Sequence, residues 1–202
     1  MSQRDRAVKL IEKHGILRCA EIIQAGIHPE TLSRLVKEGT ITRDVRGLYQ
    51  SPDADISAQH GLAEVAKLVP KGVICLVSAL QFHELTLQLP RQVWVAIHSK
   101  ARKPKIEYPP IRVARFGKAA FSLGVQVHSI DGVSVPVFSP AKTVVDCFRF
   151  RKAVGLDVAL EALHNVMESG QAKPAEIAQY AYETRIWSVL QPYLETVAAD
   201  GA

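Results

Sequence analysis

The stretch that most constrains this chain runs from His28 to Tyr49, HPETLSRLVKEGTITRDVRGLY. Pro29 suits the first turn of a helix, where its missing N–H costs nothing, and Gly39 suits the position just past the end, where positive φ is needed. The helix between them spans about ten residues. At about 100° per residue, Leu32, Leu35 and Val36 fall on one side, and Glu30, Ser33, Arg34 and Lys37 on the other. One side packs; the other is available for contact. Beyond Gly39 come two β-prone pieces, 40–43 and 47–49, with Arg43 and Arg46 near their tip and Gly47 permitting the reversal.

Upstream, residues 4–13 carry Ala7, Val8, Leu10 and Ile11, and residues 20–25 carry Ile22 and Ile23 before the turn Gly26-Ile27. Helix, short helix, glycine turn, second helix and small wing is the order of a winged helix-turn-helix, whose second helix enters the DNA major groove. The expected DNA contacts are Ser33, Arg34 and Lys37 on bases or phosphates, Thr31 near the backbone, and Arg43 and Arg46 on phosphate or the minor groove. The competing reading is a three-helix cap on a larger enzyme, its basic residues merely solvated.

The charge distribution points the same way. Net charge is +3 over residues 1–50, −1 over 51–98, +6 over 99–118 and −3 over 119–202. A basic wing module and a second basic surface, formed by Lys100, Arg102, Lys103, Lys105, Arg112, Arg115 and Lys118, suit a polyanionic partner. The Lys and Arg residues are expected to flank strands and to line one exposed rim.

With 202 residues, 48% of them hydrophobic, the chain has enough material for one or two cores. It has no apolar run of about 18 residues, and MSQRDRAVKL lacks the apolar centre of a signal peptide, so a cytoplasmic protein without membrane contact is expected. Cys19, Cys75 and Cys147 are odd in number and set among apolar neighbours, as reduced core thiols are. The histidines show no ligand spacing, so neither metal nor cofactor is expected.

Residues 51–55 read as a linker, dividing a domain 1–56 from a domain 57–202. The second is expected to hold a helix over 61–69, a buried strand over 73–77 and, behind Ser78 as cap, a helix over 79–85. Strands follow over 92–98 and 111–116, then a hairpin of 125–130 and 133–138 around Asp131-Gly132, a pair suited to a type I′ turn. Ser139-Pro140 opens a helix to about Phe150. Further helices cover 156–167, 174–182 and 186–197, the last limited in its first part by Pro192. The expected fold class is α+β: a winged helix-turn-helix domain followed by a mixed α/β domain ending in helices.

Phosphate-loop, dinucleotide-binding and nucleophile-elbow motifs do not occur, nor does an acidic-x-Lys nuclease triplet. Asp131 and Asp146 stand isolated, and His83-Glu84 falls on the polar face of a helix. A non-enzymatic protein is the expectation.

With these residues in view, the chain resembles the AbiEi family of abortive-infection antitoxins. The resemblance lies in AVKLIEKHGILRCAEIIQAGIHPETLSRLVKEGTITRDVRGLY, in the central VSALQFHELT, and in VPVFSPAKTVVDCFRF followed by LDVALEAL. It implies a winged helix that binds operator DNA, with inverted repeats, and represses its own operon. It also implies a C-terminal domain opposing a nucleotidyltransferase-like toxin in a type IV system, in which the two proteins need not touch. A transcription factor of similar build without a toxin partner is the alternative. The family often has Ser or Thr plus Arg where His28, Pro29 and Glu30 stand here; a carboxylate there weakens phosphate binding, though it can accept from cytosine N4.

Overall fold

Ser2 and Asp5 start the first helix by capping each other. The Ser2 hydroxyl accepts from the Asp5 N–H at 3.1 Å, and the Asp5 carboxylate accepts from the Ser2 N–H at 3.0 Å. In the computed structural model, which describes residues 1–44, 47–54 and 56–200, this helix is α1 (Gln3–His14). Then come β1 (Leu17–Arg18), α2 (Cys19–Gln24), α3 (Pro29–Lys37), β2 (Thr42–Arg43) and β3 (Leu48–Gln50). The small sheet has the order β1-β3-β2, antiparallel throughout, with Tyr49 paired to both Leu17 and Arg43. Sequence pattern located the helices and the wing but not β1, whose two residues are too few to show alternation. Ile11, Ile22, Leu32, Leu35, Ile41 and Tyr49 share the core beneath.

The chain divides into two compact units, Met1–Pro70 with His128–Val135, and Lys71–Val127 with Pro136–Ala202. The first therefore runs past the expected boundary at residue 56 and takes in α4 (His60–Leu68). Polar contacts explain why. The Lys67 ammonium meets Glu21 of α2 at 2.9 Å, and His60 Nδ1 lies 2.7 Å from Asp131. Glu21 also accepts from the Arg18 N–H; these contacts overcome its partial burial and hold its carboxyl below the usual range.

The second unit carries β4 (Val73–Ile74), α5 (Leu76–Phe82), β5 (Val93–His98), β6 (Ile111–Phe116) and α6 (Lys118–Ser122). The hairpin β7 (Val125–Ile130) and β8 (Val133–Phe138) turns at Asp131 and Gly132, with φ of +48° and +75°, the double positive φ its sequence demands. Five strands form a mixed sheet in the order β6-β5-β4-β8-β7; β4 is antiparallel to β5 and parallel to β8, and β5 is parallel to β6. Helices α7 (Pro140–Arg149), α8 (Arg151–Val154), α9 (Leu156–Glu168), α10 (Pro174–Glu183) and α11 (Trp187–Asp200) complete the chain. The fold is α+β, as expected.

Four local expectations are corrected. The strand expected over 73–77 stops at Ile74; Leu76, at φ +48°, starts α5. A short apolar run does not distinguish a buried strand from a helix buried all round, and residues 76–80 are all buried. Ser78 consequently lies inside α5, its hydroxyl accepting from the Trp94 N–H at 2.9 Å instead of capping. His83 caps the C-terminal end of α5 and Glu84 has φ +59°, so the pair does not sit on a helix face; His83 Nε2 lies 2.7 Å from the Phe138 carbonyl oxygen. Finally, α11 runs through Pro192, whose one missing N–H is outweighed by the burial of Leu190 and Leu194 on the same helix.

Asp146, isolated in sequence, is paired in space. It bonds the Lys142 ammonium one turn earlier on α7, and both side chains are fully buried. The ammonium also lies 4.4 Å and 5.0 Å from the ring centroids of Phe138 and Phe116. Burial pushes the Asp146 carboxyl up to about 6 against the pull of Lys142, and burial likewise lowers Lys142. Asp146→Ala, which strands the ammonium, is expected to cost about 3–5 kcal/mol, whereas replacing the pair by Met and Leu stays near neutral. The folded carboxyl titrates at about 6 against an ordinary 3.8, so its contribution to stability is present below about pH 4 and lost as pH rises to about 6. Urea unfolding across that window is expected to show the loss in the wild-type chain and not in Asp146→Asn.

Candidate nucleic-acid interface

One-sided burial orients α3. Leu32 and Leu35 are each 1% exposed, which turns Ser33, Arg34 and Lys37 outward on the opposite face. Thr31 is half-buried at the same end of the helix as His28 and Glu30. The His28 ring supplies the N-cap that the sequence did not announce: Nδ1 accepts from the Glu30 N–H at 3.3 Å.

The approach to α3 is fixed from α1. The Gln3 amide donates to the Gly26 carbonyl at 3.1 Å and accepts from the His28 N–H at 2.8 Å, spanning the turn between α2 and α3. Arg6 donates to the Ala25 carbonyl at 3.0 Å. Arg4 pairs with Glu38 at the other end of α3 and also reaches the Thr40 hydroxyl at 3.3 Å. Gln3, Arg4 and Arg6 thus position α3, a role that only distance in space reveals.

On the outer face, Arg34 lies 3.8 Å from Glu30 with both side chains mostly exposed, a pair too weak to hold the guanidinium against a phosphate or guanine. The Ser33 hydroxyl donates back to the Pro29 carbonyl at 3.2 Å and keeps its acceptor pairs outward. Lys37 is exposed and has no ion pair among the described residues. In the wing, Arg43 is exposed, its guanidinium 5.7 Å from the Tyr49 ring centroid. Asp44 closes the turn by accepting from the Leu48 N–H at 2.9 Å. Arg46, the other wing base expected to meet DNA, lies outside the described residues.

The central basic residues are all exposed, but Arg112 and Arg115 do not share one rim. Lys100, Arg102, Lys103 and Lys105 lie in the connection between β5 and β6, Arg112 and Arg115 lie within β6, and Lys118 opens α6. Strand alternation sends Arg112 and Arg115, three positions apart, to opposite faces of the sheet. Arg112 lies over the Trp94 ring at 4.2 Å, while Arg115 donates to the carbonyls of Ser99 and Ala101 at 2.7 and 2.8 Å. Arg115 is therefore tied to its own connection. Among the described residues no cluster of three or more His, Cys, Asp and Glu could hold a metal ion, and no helix is long and apolar enough to cross a membrane.

The helix-turn-helix, the three-stranded wing sheet and the outward face of α3 together define a winged helix-turn-helix. Residues 5–52 match the family model of the transcriptional regulator, AbiEi antitoxin, which bears out the resemblance over that stretch. No curated protein matches the chain. Among solved structures, the crystal structure of the RV2827C protein from Mycobacterium tuberculosis superposes with a TM-score of 0.63 at 12% identity, covering 96% of this chain and 77% of that one. The likeness is one of fold and extends through both units.

If Arg34 reads guanine through two hydrogen bonds, Arg34→Ala costs about 1–3 kcal/mol and relaxes preference at one base pair, which a panel of substituted duplexes measures. Unaltered affinity and footprint would remove Arg34 from the interface. Arg43→Ala, by contrast, is expected to weaken all sequences alike and to flatten the dependence of log affinity on log salt by about one unit. An unchanged salt slope would mean that the wing does not meet the backbone.

Proposed function

We infer that the chain is a DNA-binding transcriptional autorepressor and the antitoxin of a type IV, AbiE-like toxin-antitoxin system, opposing a nucleotidyltransferase-like toxin. The observation that carries this reading is the coincidence of the family match over residues 5–52 with a recognition helix whose outward face holds Ser33, Arg34 and Lys37. The DNA contacts are Thr31, Ser33, Arg34, Lys37, Arg43 and Arg46, and the operator consists of inverted repeats upstream of the chain's own operon. The protein acts in the cytoplasm by binding and not by catalysis, and it need not touch the toxin.

The antitoxin role is assigned to the second unit, with its exposed bases Lys100, Arg102, Lys103 and Lys105 as a second polyanion surface. Attraction from several such charges adds, while each alone has little effect. Two measurements test the division. Binding of the purified chain to its own promoter is expected to fall with Arg34→Ala while growth protection against the toxin persists. Joint charge reversal at Arg102, Lys103 and Lys105 is expected to abolish protection and leave operator affinity in place. Protection that survives the triple reversal would return those residues to the solvent.

A further inference from the structure

The second unit contains a cleft of about 510 Å³ that the DNA-binding reading does not use. Its size falls within the range of small-molecule sites. Arg91 and Arg112 both line it, Gln88 and Gln92 add amides, and no Asp or Glu is among its lining residues. Neither arginine has an ion pair among the described residues. Arg112 faces Trp94 across the register of β5 and β6 and lies 4.2 Å from its ring centroid. Stacked on an indole that is itself 7% exposed, the guanidinium is held in place without consuming its N–H donors.

The segment leading into Gln88 and Arg91 is also anchored. Glu161 of α9 accepts from the Thr86 hydroxyl at 3.1 Å and from the Leu87 N–H at 3.3 Å. Asn165, one turn further along α9, donates to the Leu85 carbonyl at 3.1 Å, and Gln171 donates to that of His83 at 3.0 Å. Glu161 is thereby occupied within the scaffold. Pro110 and Val154 give the cleft apolar surface beside its cations.

We propose that this cleft binds a nucleoside phosphate, with Arg91 and Arg112 on the phosphate and the Pro110 and Val154 surfaces against the nucleoside. Two guanidinium groups without carboxylate competition recognise a planar face of phosphate oxygens, and the amides of Gln88 and Gln92 can pair with sugar or base edges. A simple anion leaves the apolar wall unused; an uncharged nucleoside leaves both cations unpaired. The ligand is therefore the conjugate of the two, either a free nucleotide or the phosphorylated end of a strand.

Titration calorimetry on the full chain tests this with the four ribonucleoside 5′-monophosphates, a 5′-phosphorylated dinucleotide, inorganic phosphate and adenosine. At least one monophosphate or the dinucleotide is expected to bind saturably, about tenfold or more tighter than phosphate or adenosine. Tighter binding of the dinucleotide assigns the cleft to a strand end, and tighter binding of a monophosphate to a free nucleotide. Arg91→Gln and Arg112→Gln are each expected to weaken that binding by about tenfold or more, while Lys173→Gln, at an exposed residue outside the cleft, leaves it intact. Arg112→Gln removes packing from Trp94, so its melting curve is compared with that of the wild type; Arg91 is exposed and has no such role, which keeps the test decisive. Three results overturn the proposal: no saturable binding up to millimolar ligand, phosphate as tight as any nucleotide, or unchanged affinity in Arg91→Gln. Operator binding through α3 is measured separately and does not depend on the outcome.

Discussion

The first unit closes around a contact in which two backbones meet with no side chain between them. Gly15, at the end of α1, has φ +64°, and a Cβ there would overlap the Asp131 carbonyl group. Gly132 answers it: a Cβ on that residue would fall 2.9 Å from the His14 carbonyl carbon. Only glycine satisfies both the positive φ and the approach. Because the hairpin tip can come this near, Asp131 reaches His60 and accepts from the Ser57 N–H at 3.4 Å, which anchors the segment leaving the wing. His60 in turn has Glu64 3.6 Å from its other nitrogen. The wing module is thus built from residues far apart in the chain.

This contact also separates what the sequence makes legible from what it does not. Periodicity along α3, Pro29 and Gly39 at its ends, and Asp131-Gly132 between two alternating runs are local signals; each is answered by the expected helix or turn. The outward face of α3 was legible for the same reason, since burying Leu32 and Leu35 leaves a helix only one side for Ser33, Arg34 and Lys37. Asp131 was read solely as a turn residue, because its second role depends on His60, which lies 71 residues away.

The misread elements share a physical cause. Residues 73–77 are apolar whether they form a central strand or a helix buried all round, and only the partners of Trp94 decide between the two. Lys142 and Asp146 stand one helical turn apart, a spacing that ordinarily means an exposed surface pair. Their complete burial against Phe116 and Phe138 comes from the sheet beneath, and nothing along α7 alone signals it.

Charge counting misleads in a similar way, and the difference bears on function. The net +6 of residues 99–118 treats seven cations as equals, yet the fold gives them different work. Arg115 is committed to two carbonyls of its own connection, and Arg112 lies 4.2 Å from an indole centroid on the other face of the sheet. The first is largely spent on structure; the second is held in position while keeping its donors. What distinguishes a recognition cation from a solvated one is therefore the geometry that immobilises it without neutralising it. By that measure Arg112 stands apart from the lysines of the exposed connection, whose contribution to any partner is one of field and not of fit.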